Sequence, residues 1–193
     1  MRTRLATVLF LAFIGMISAP SVSAAAGTYY APPQQCKTSF VVTDMASKQL
    51  FSGDFQDATG SFHYDEGTHT VSRLRFAIDA RSLQAPQTSR SRSAEMFAIT
   101  QNPEISFASD APVTLKDGAG AIKGTLTLHG KSQAASFDAT LAKAEGRGQL
   151  RLTLTGKVKR EAYGMTVDPT PEQPETGLGD TIALTLEMQG ITP

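Results

Sequence analysis

Three histidines and one cysteine are the side chains of this 193-residue chain best suited to metal or nucleophilic chemistry. His63 and His69 flank Asp65-Glu66-Gly67. If those three residues make a hairpin loop with Gly67 in the left-handed position, the two imidazoles face each other on the outer surface. A structural zinc site takes about four protein ligands, so the pair falls short of one. His129 stands beside Gly130 at a turn, and the expected role of its ring is to pin that turn through a hydrogen bond. A catalytic role would need a nucleophile and an orienting carboxylate, and no sequence pattern supplies them. Cys36 follows Pro33-Gln34-Gln35, which is not a lipoprotein signature, and reads as a free or lightly buried thiol. Gly118-x-Gly120-x-x-x-Gly124 echoes a phosphate loop but lies between strand-patterned runs, with no helix start to receive an anion. Ser89 to Ser93, with Arg90 and Arg92, reads as a helix cap, with a carboxylate-catching mouth as the alternative. Lys157-x-Lys159-Arg160 reads as a solvated outer face. The sequence therefore predicts no catalytic residue, no metal site and no cofactor.

Composition narrows the partners. The chain has 18 Lys+Arg against 18 Asp+Glu, which argues against a nucleic-acid binder relying on a phosphate-neutralising surface. Arg2 and Arg4, the short apolar run Leu5 to Ile17, and the small residues Ser21 to Ala26 have the layout of a secretory signal peptide. Residues 1–24 are expected to be removed, with cleavage after Ala26 as the alternative, and the product delivered to the periplasm or medium. The run is too short to span a bilayer, which takes about 20 residues, so no stable membrane insertion is expected. Residues 25–193 then form one domain.

The elements that must position any site are strands. Leu74, Phe76 and Ile78 alternate with Arg73, Arg75 and Asp79. The same alternation runs through Ala121 to Leu128, Ala135 to Leu141, Leu150 to Lys159 and Thr181 to Gln189. Weaker patterns cover Ser39 to Thr43, Ala58 to Tyr64 and Ile105 to Ser109. A single helix is expected over Ser91 to Ile99, ending before Asn102-Pro103, because the residue before proline avoids helical geometry. Asp168 to Gly179, with three prolines, reads as a long loop. About eight strands with one apolar face each must close on themselves or pack in two layers. The long strands favour an antiparallel barrel over a short-stranded sandwich.

Four short motifs then resemble one family. Gly124-Thr125-Leu126-Thr127-Leu128-His129-Gly130-Lys131 looks like the Leu-Thr-Leu-His-Gly hairpin of YceI-like proteins. Arg92 to Phe97, followed by Asn102 to Phe107, is similar to that family's helix and following strand. Lys159 to Met165 resembles its Asn-Arg-x-Asp-Phe-Gly turn, and Gly179-Asp180 also fits. The N-terminal aromatic-x-Ile-Asp-x-x-His-Ser segment has no clean match, and Thr88-Ser89-Arg90-Ser91 replaces the family's Arg-Asp-x-His. The resemblance implies an all-β fold: an antiparallel lipocalin-like barrel with one short helix, in an exported protein. It also implies a polyisoprenoid or fatty-acid-like chain held inside, and members that are often dimers, so a homodimer is an expectation.

The candidate lining follows from the inward rows and the resembling segments: Leu74, Phe76, Ile78, Phe97, Ile105, Phe107, Leu126, Leu128, Phe137, Ala139, Leu152, Leu154, Tyr163, Met165 and Leu184. Ala135, Ala139 and Gly156 are small inward positions that would leave room for a ligand. Alternation alone leaves three readings open: a lipid-holding barrel, a structural module with a filled core, and an enzyme acting on a small apolar compound.

Overall fold

Every run with apolar-polar alternation forms a strand. The computed structural model describes residues 26–45, 47–87, 90–146, 148–165 and 178–192. The strands are β1 (Ala26–Ala31), β2 (Cys36–Asp44), β3 (Leu50–Phe55), β4 (Ala58–Asp65), β5 (Thr70–Asp79), β6 (Leu83–Gln84), β7 (Glu104–Ser109), β8 (Val113–Thr114), β9 (Ala119–Leu128), β10 (Lys131–Lys143), β11 (Leu150–Lys159) and β12 (Leu178–Gly190). One helix, α1 (Arg90–Met96), lies between β6 and β7. The expected signal segment, Ser89 and most of the proline-rich loop lie outside the described residues.

The strands form one antiparallel sheet in the order β1-β4-β5-β7-β9-β10-β11-β12-β2-β3-β6, with β8 paired to β5. The sheet curls around its apolar face, and β1 reaches the end of β12. There Tyr30 and Ile191 exchange two backbone hydrogen bonds, each 2.9 Å. The fold is thus the expected antiparallel barrel, with twelve strands among the described residues instead of about eight. β1, β3, β6 and β8 are the additions. β6 and β8 are two residues each, too short to show a period. β3 alternates Phe51, Gly53 and Phe55 inward, and the glycine breaks the apolar pattern. A Cβ at Gly53 would sit 2.8 Å from the Phe40 ring, so packing demands the residue that hides the strand.

Turn chemistry sets the register. Asp117-Gly118 and His129-Gly130 have positive φ at both central residues, the geometry of two-residue hairpins. The β4–β5 hairpin differs from expectation. Asp65 pairs with Thr70, so the loop is Glu66 to His69. The Asp65 carboxylate accepts from the Gly67 and Thr68 amides, and the left-handed residue is His69 at φ 53°, not Gly67. In β5, Arg73 at φ 51° adds a bulge, so both Val71 and Leu74 point inward.

Helix α1 is shorter than expected. It ends where Ala98 turns left-handed at φ 46°, while Ile99 N–H donates to Ala94 O and Ala98 N–H to Glu95 O. These two bonds satisfy the last helical carbonyls and send the chain toward Pro103. The turn also swings Phe97 under the helix into the core, where it is 1 % exposed.

Candidate functional site

Two aromatic clusters fill the barrel. At the end covered by α1, Phe97 meets Phe40 edge-on at 4.8 Å and Phe55 at 5.3 Å. Further along, Phe76 stacks on Phe107 at 5.4 Å, and Phe137 meets Phe107 edge-on at 5.0 Å. Offset and edge-on contacts of this kind add about 0.5–1.5 kcal/mol per pair beyond area burial. Between the clusters lies a waist with a void of about 10 Å³, lined by Phe55, Phe76, Ile78, Ile105, Phe137 and Leu184 among others. That volume holds about one water molecule.

The fifteen residues expected to line a ligand are all buried in one continuous core. They do not all share the waist. Phe76, Ile78, Ile105, Phe137 and Leu184 line it. Phe107 backs it through the Phe76 stack. Phe97 belongs to the cluster under α1. Leu74, Leu126, Leu128, Ala139, Leu152, Leu154, Tyr163 and Met165 pack elsewhere in the core. The small positions do not all leave free space: a Cβ on Gly156 would lie 2.6 Å from the Phe137 ring, so a side chain already occupies that room. Thr38, Phe55, Thr185 and Leu186 complete the waist and are not among the lining residues expected from the sequence. The signal was present in β2, where Cys36, Thr38, Phe40 and Val42 alternate inward, but the preceding prolines obscured where that strand begins.

The singled-out polar groups have local partners. His129 Nδ1 lies 3.2 Å from Tyr163 O and donates to it, pinning the β9–β10 hairpin to the Glu161–Tyr163 turn. His63 and His69 do not face each other. His63 Nδ1 lies 3.3 Å from Thr28 Oγ1, and His69 Nδ1 lies 3.1 Å from Tyr64 Oη. Among the described residues no three His, Cys, Asp or Glu side chains converge on a point. Cys36 is buried, its Sγ donates to Ala31 O at 3.5 Å, and burial pushes its thiol up to about 11. Lys157 and Lys159 are exposed, but Arg160 is not the solvated residue expected of that run. It shares the inward parity of Leu152, Leu154 and Val158 and is buried.

Arg92 catches a carboxylate of its own chain. Its Nη1 donates to Asp44 Oδ2 at 2.7 Å, and its guanidinium lies 5.5 Å from the Phe51 ring centre. This contact ties α1 to the β2–β3 hairpin and leaves the mouth reading of Arg92 without support. The Ser47 amide and then Arg92 hold the Asp44 carboxyl down at about 2. A carboxylate with a depressed folded-state pKa contributes stability that is complete above its unfolded pKa of about 3.9. That contribution fades as pH falls toward about 2. Urea midpoints measured between pH 5 and pH 2 should therefore fall less steeply for Asp44→Asn than for the parent. Parallel curves would remove Asp44 from the acid response.

Outside the barrel, a depression of about 760 Å³ lies on the outer faces of β4, β5, β7 and β9, with Tyr30 and Ile191 in its wall. A ligand there would keep one side in water and lose much of the burial that favours a closed site. No helix of the described residues is long and apolar enough to cross a membrane.

The order and geometry of these parts match known proteins. A sequence model of the YceI-like domain matches residues 29–190. The chain belongs to the YceI-like family. A relative, a UPF0312 protein of Pectobacterium carotovorum, is 28% identical over 181 residues, spanning 89% of this chain and 93% of its own. Among solved structures, BcnA of Burkholderia cenocepacia superposes with a TM-score of 0.68 at 19% identity, covering 83% of this chain and 99% of that one. A polyisoprenoid binding domain from Saccharophagus degradans superposes at 0.62 with 13% identity, covering 88% and 100%. At these identities the superpositions establish a shared YceI-like fold.

Proposed function

We propose that this YceI-like chain is an exported binding protein that holds a long apolar chain, polyisoprenoid or fatty-acid-like, inside its barrel. The observation that carries the reading is the waist between two aromatic clusters, walled mostly by Phe, Ile and Leu side chains. The likeness to a polyisoprenoid binding domain supports it. A tail of about 14 carbons gains on the order of 11 kcal/mol gross on leaving water, at ~0.8 kcal/mol per methylene. Association and ordering cost several kcal/mol or more, and parting the two clusters adds to that cost. The surplus gives useful affinity without a charged contact. The pocket is then an expanded minor state that the ligand makes dominant.

A second reading, a structural module with a filled core, draws on the small waist void of about 10 Å³. Native mass spectrometry of protein purified from its own cells without detergent separates the two. The binding reading expects a mature chain beginning near Ala25 or Gly27 that carries a co-purifying lipid. Delipidated protein should gain about 2.7 kcal/mol of stability at a hundred times the Kd of an added ligand. A chain retaining Met1 would overturn export. No lipid at purification, and no uptake of farnesol or palmitate afterwards, would leave only the filled core.

A further inference from the structure

The waist contains one buried polar side chain that no protein group among the described residues satisfies. Thr38 is 5% exposed, and its Oγ1 has no hydrogen-bond partner. A buried hydroxyl without a partner is costly, and native proteins hold few of them. Thr38 lines the waist void. With Phe55 it also lines a separate pocket of about 550 Å³, together with Pro33, Cys36, Lys37 and Asp54. These two residues therefore stand between that pocket and the barrel interior.

The backbone accounts for a gap at this place. Thr38 and Phe55 are the last pair of the β2–β3 ladder. On the β2 side, Pro32 and Pro33 carry no N–H and lead into the 3-10 turn Pro33–Gln35. On the β3 side, the Gln56 and Asp57 amides donate to Ser82 Oγ at 3.1 and 3.0 Å instead of to β2. The two strands part just beyond the Thr38–Phe55 pair. Lys37 and Asp54 bring opposite charges to the pocket, which suits a head group without net charge.

We propose that the end of the β2–β3 ladder is the port of the barrel, where Phe55 turns aside to admit the chain and the Thr38 hydroxyl hydrogen-bonds an uncharged oxygen head group, an alcohol or a carbonyl. This rests on the reading that the barrel holds an apolar chain. The tail then lies at the waist between the aromatic clusters, and the head stays at the ladder's end. The hydroxyl is unpaired because its partner arrives with the ligand.

The test pairs farnesol with farnesene, its hydrocarbon counterpart, on delipidated full-length mature protein. The parent should bind farnesol about tenfold more tightly than farnesene, the scale of one buried hydrogen bond. Thr38→Val, which keeps the shape and removes the hydroxyl, should abolish that preference while raising the melting temperature of the empty protein. Those opposite signs distinguish a ligand anchor from a structural hydroxyl. Phe55→Ala should speed farnesol uptake at least tenfold in stopped-flow tyrosine fluorescence. A preference that survives Thr38→Val, or uptake that Phe55→Ala leaves unchanged, overturns the port while the lipid-binding barrel stands. A parent that binds neither compound overturns both.

Discussion

Phe76→Asp is expected to leave the barrel unfolded, whereas Arg75→Asp, one position along β5, should stay within about 0.5 kcal/mol of the parent. Phe76 is buried, stacked on Phe107 at 5.4 Å and edge-on to Phe137 at 6.1 Å. The substitution removes two ring contacts, leaves a cavity and places a carboxylate among apolar walls. Deleting a core Phe alone costs about 3–5 kcal/mol. The unpaired charge adds several more, and the total rivals the whole stability of a typical domain, about 5–15 kcal/mol. Arg75 stands exposed on the outer face opposite Ser61 and Ala108, in the wall of the open outer depression, and has no ion-pair partner among the described residues to strand. Circular dichroism melts of the two variants decide the matter. Similar melts would mean that the inward row of β5 is assigned to the wrong face.

Arg160→Met should cost about 3–5 kcal/mol. Arg160 is 5% exposed, and its guanidinium is hydrogen-bonded to three backbone carbonyls. It donates to Leu178 O at 2.6 Å, Gly179 O at 3.3 Å and Met165 O at 2.7 Å. A charged donor is worth about 1.5–3 kcal/mol per bond, and each carbonyl stranded by its loss carries a desolvation penalty. Burial lowers the Arg160 pKa, opposed by the nearby Asp180 charge. A guanidinium withstands that pressure because its unperturbed pKa is so high. Arg160→Lys keeps the charge but loses the fork, and should recover about half of the deficit. Urea unfolding at constant m-value measures both. A methionine variant within about 0.5 kcal/mol of the parent would show that these carbonyls find other donors.

Most of the barrel was legible because a half-buried strand writes its two faces into alternate residues. All eight runs read from that alternation are strands, and the fifteen proposed lining residues are core. What stayed hidden has particular causes. Gly53 occupies an inward position where the Phe40 ring needs the space, so β3 lacks an apolar row. The loop of the β4–β5 hairpin depends on the Asp65 side chain turning back onto two amides, a contact that composition does not encode. Arg160 has the parity of the core row, but a charge at a strand end reads as solvent-facing until its three carbonyl partners are in place. The waist itself joins residues of β2, β3, β5, β7, β10 and β12, and only tertiary structure brings those rows together.

The pairing of β2 with β12 and the Tyr30–Ile191 bridge set the order of events in folding. Tyr30 of β1 bridges Ile191, the residue that follows β12. During synthesis the early strands can form the β2–β3 and β4–β5 hairpins, but β2 has no partner on its other side until Leu178–Gly190 has emerged. Contacts between residues so distant in sequence slow folding, because loop-closure entropy must be overcome before they form. The chain therefore remains open until its last strand is made. That delay leaves β2 exposed to aggregation in the interval.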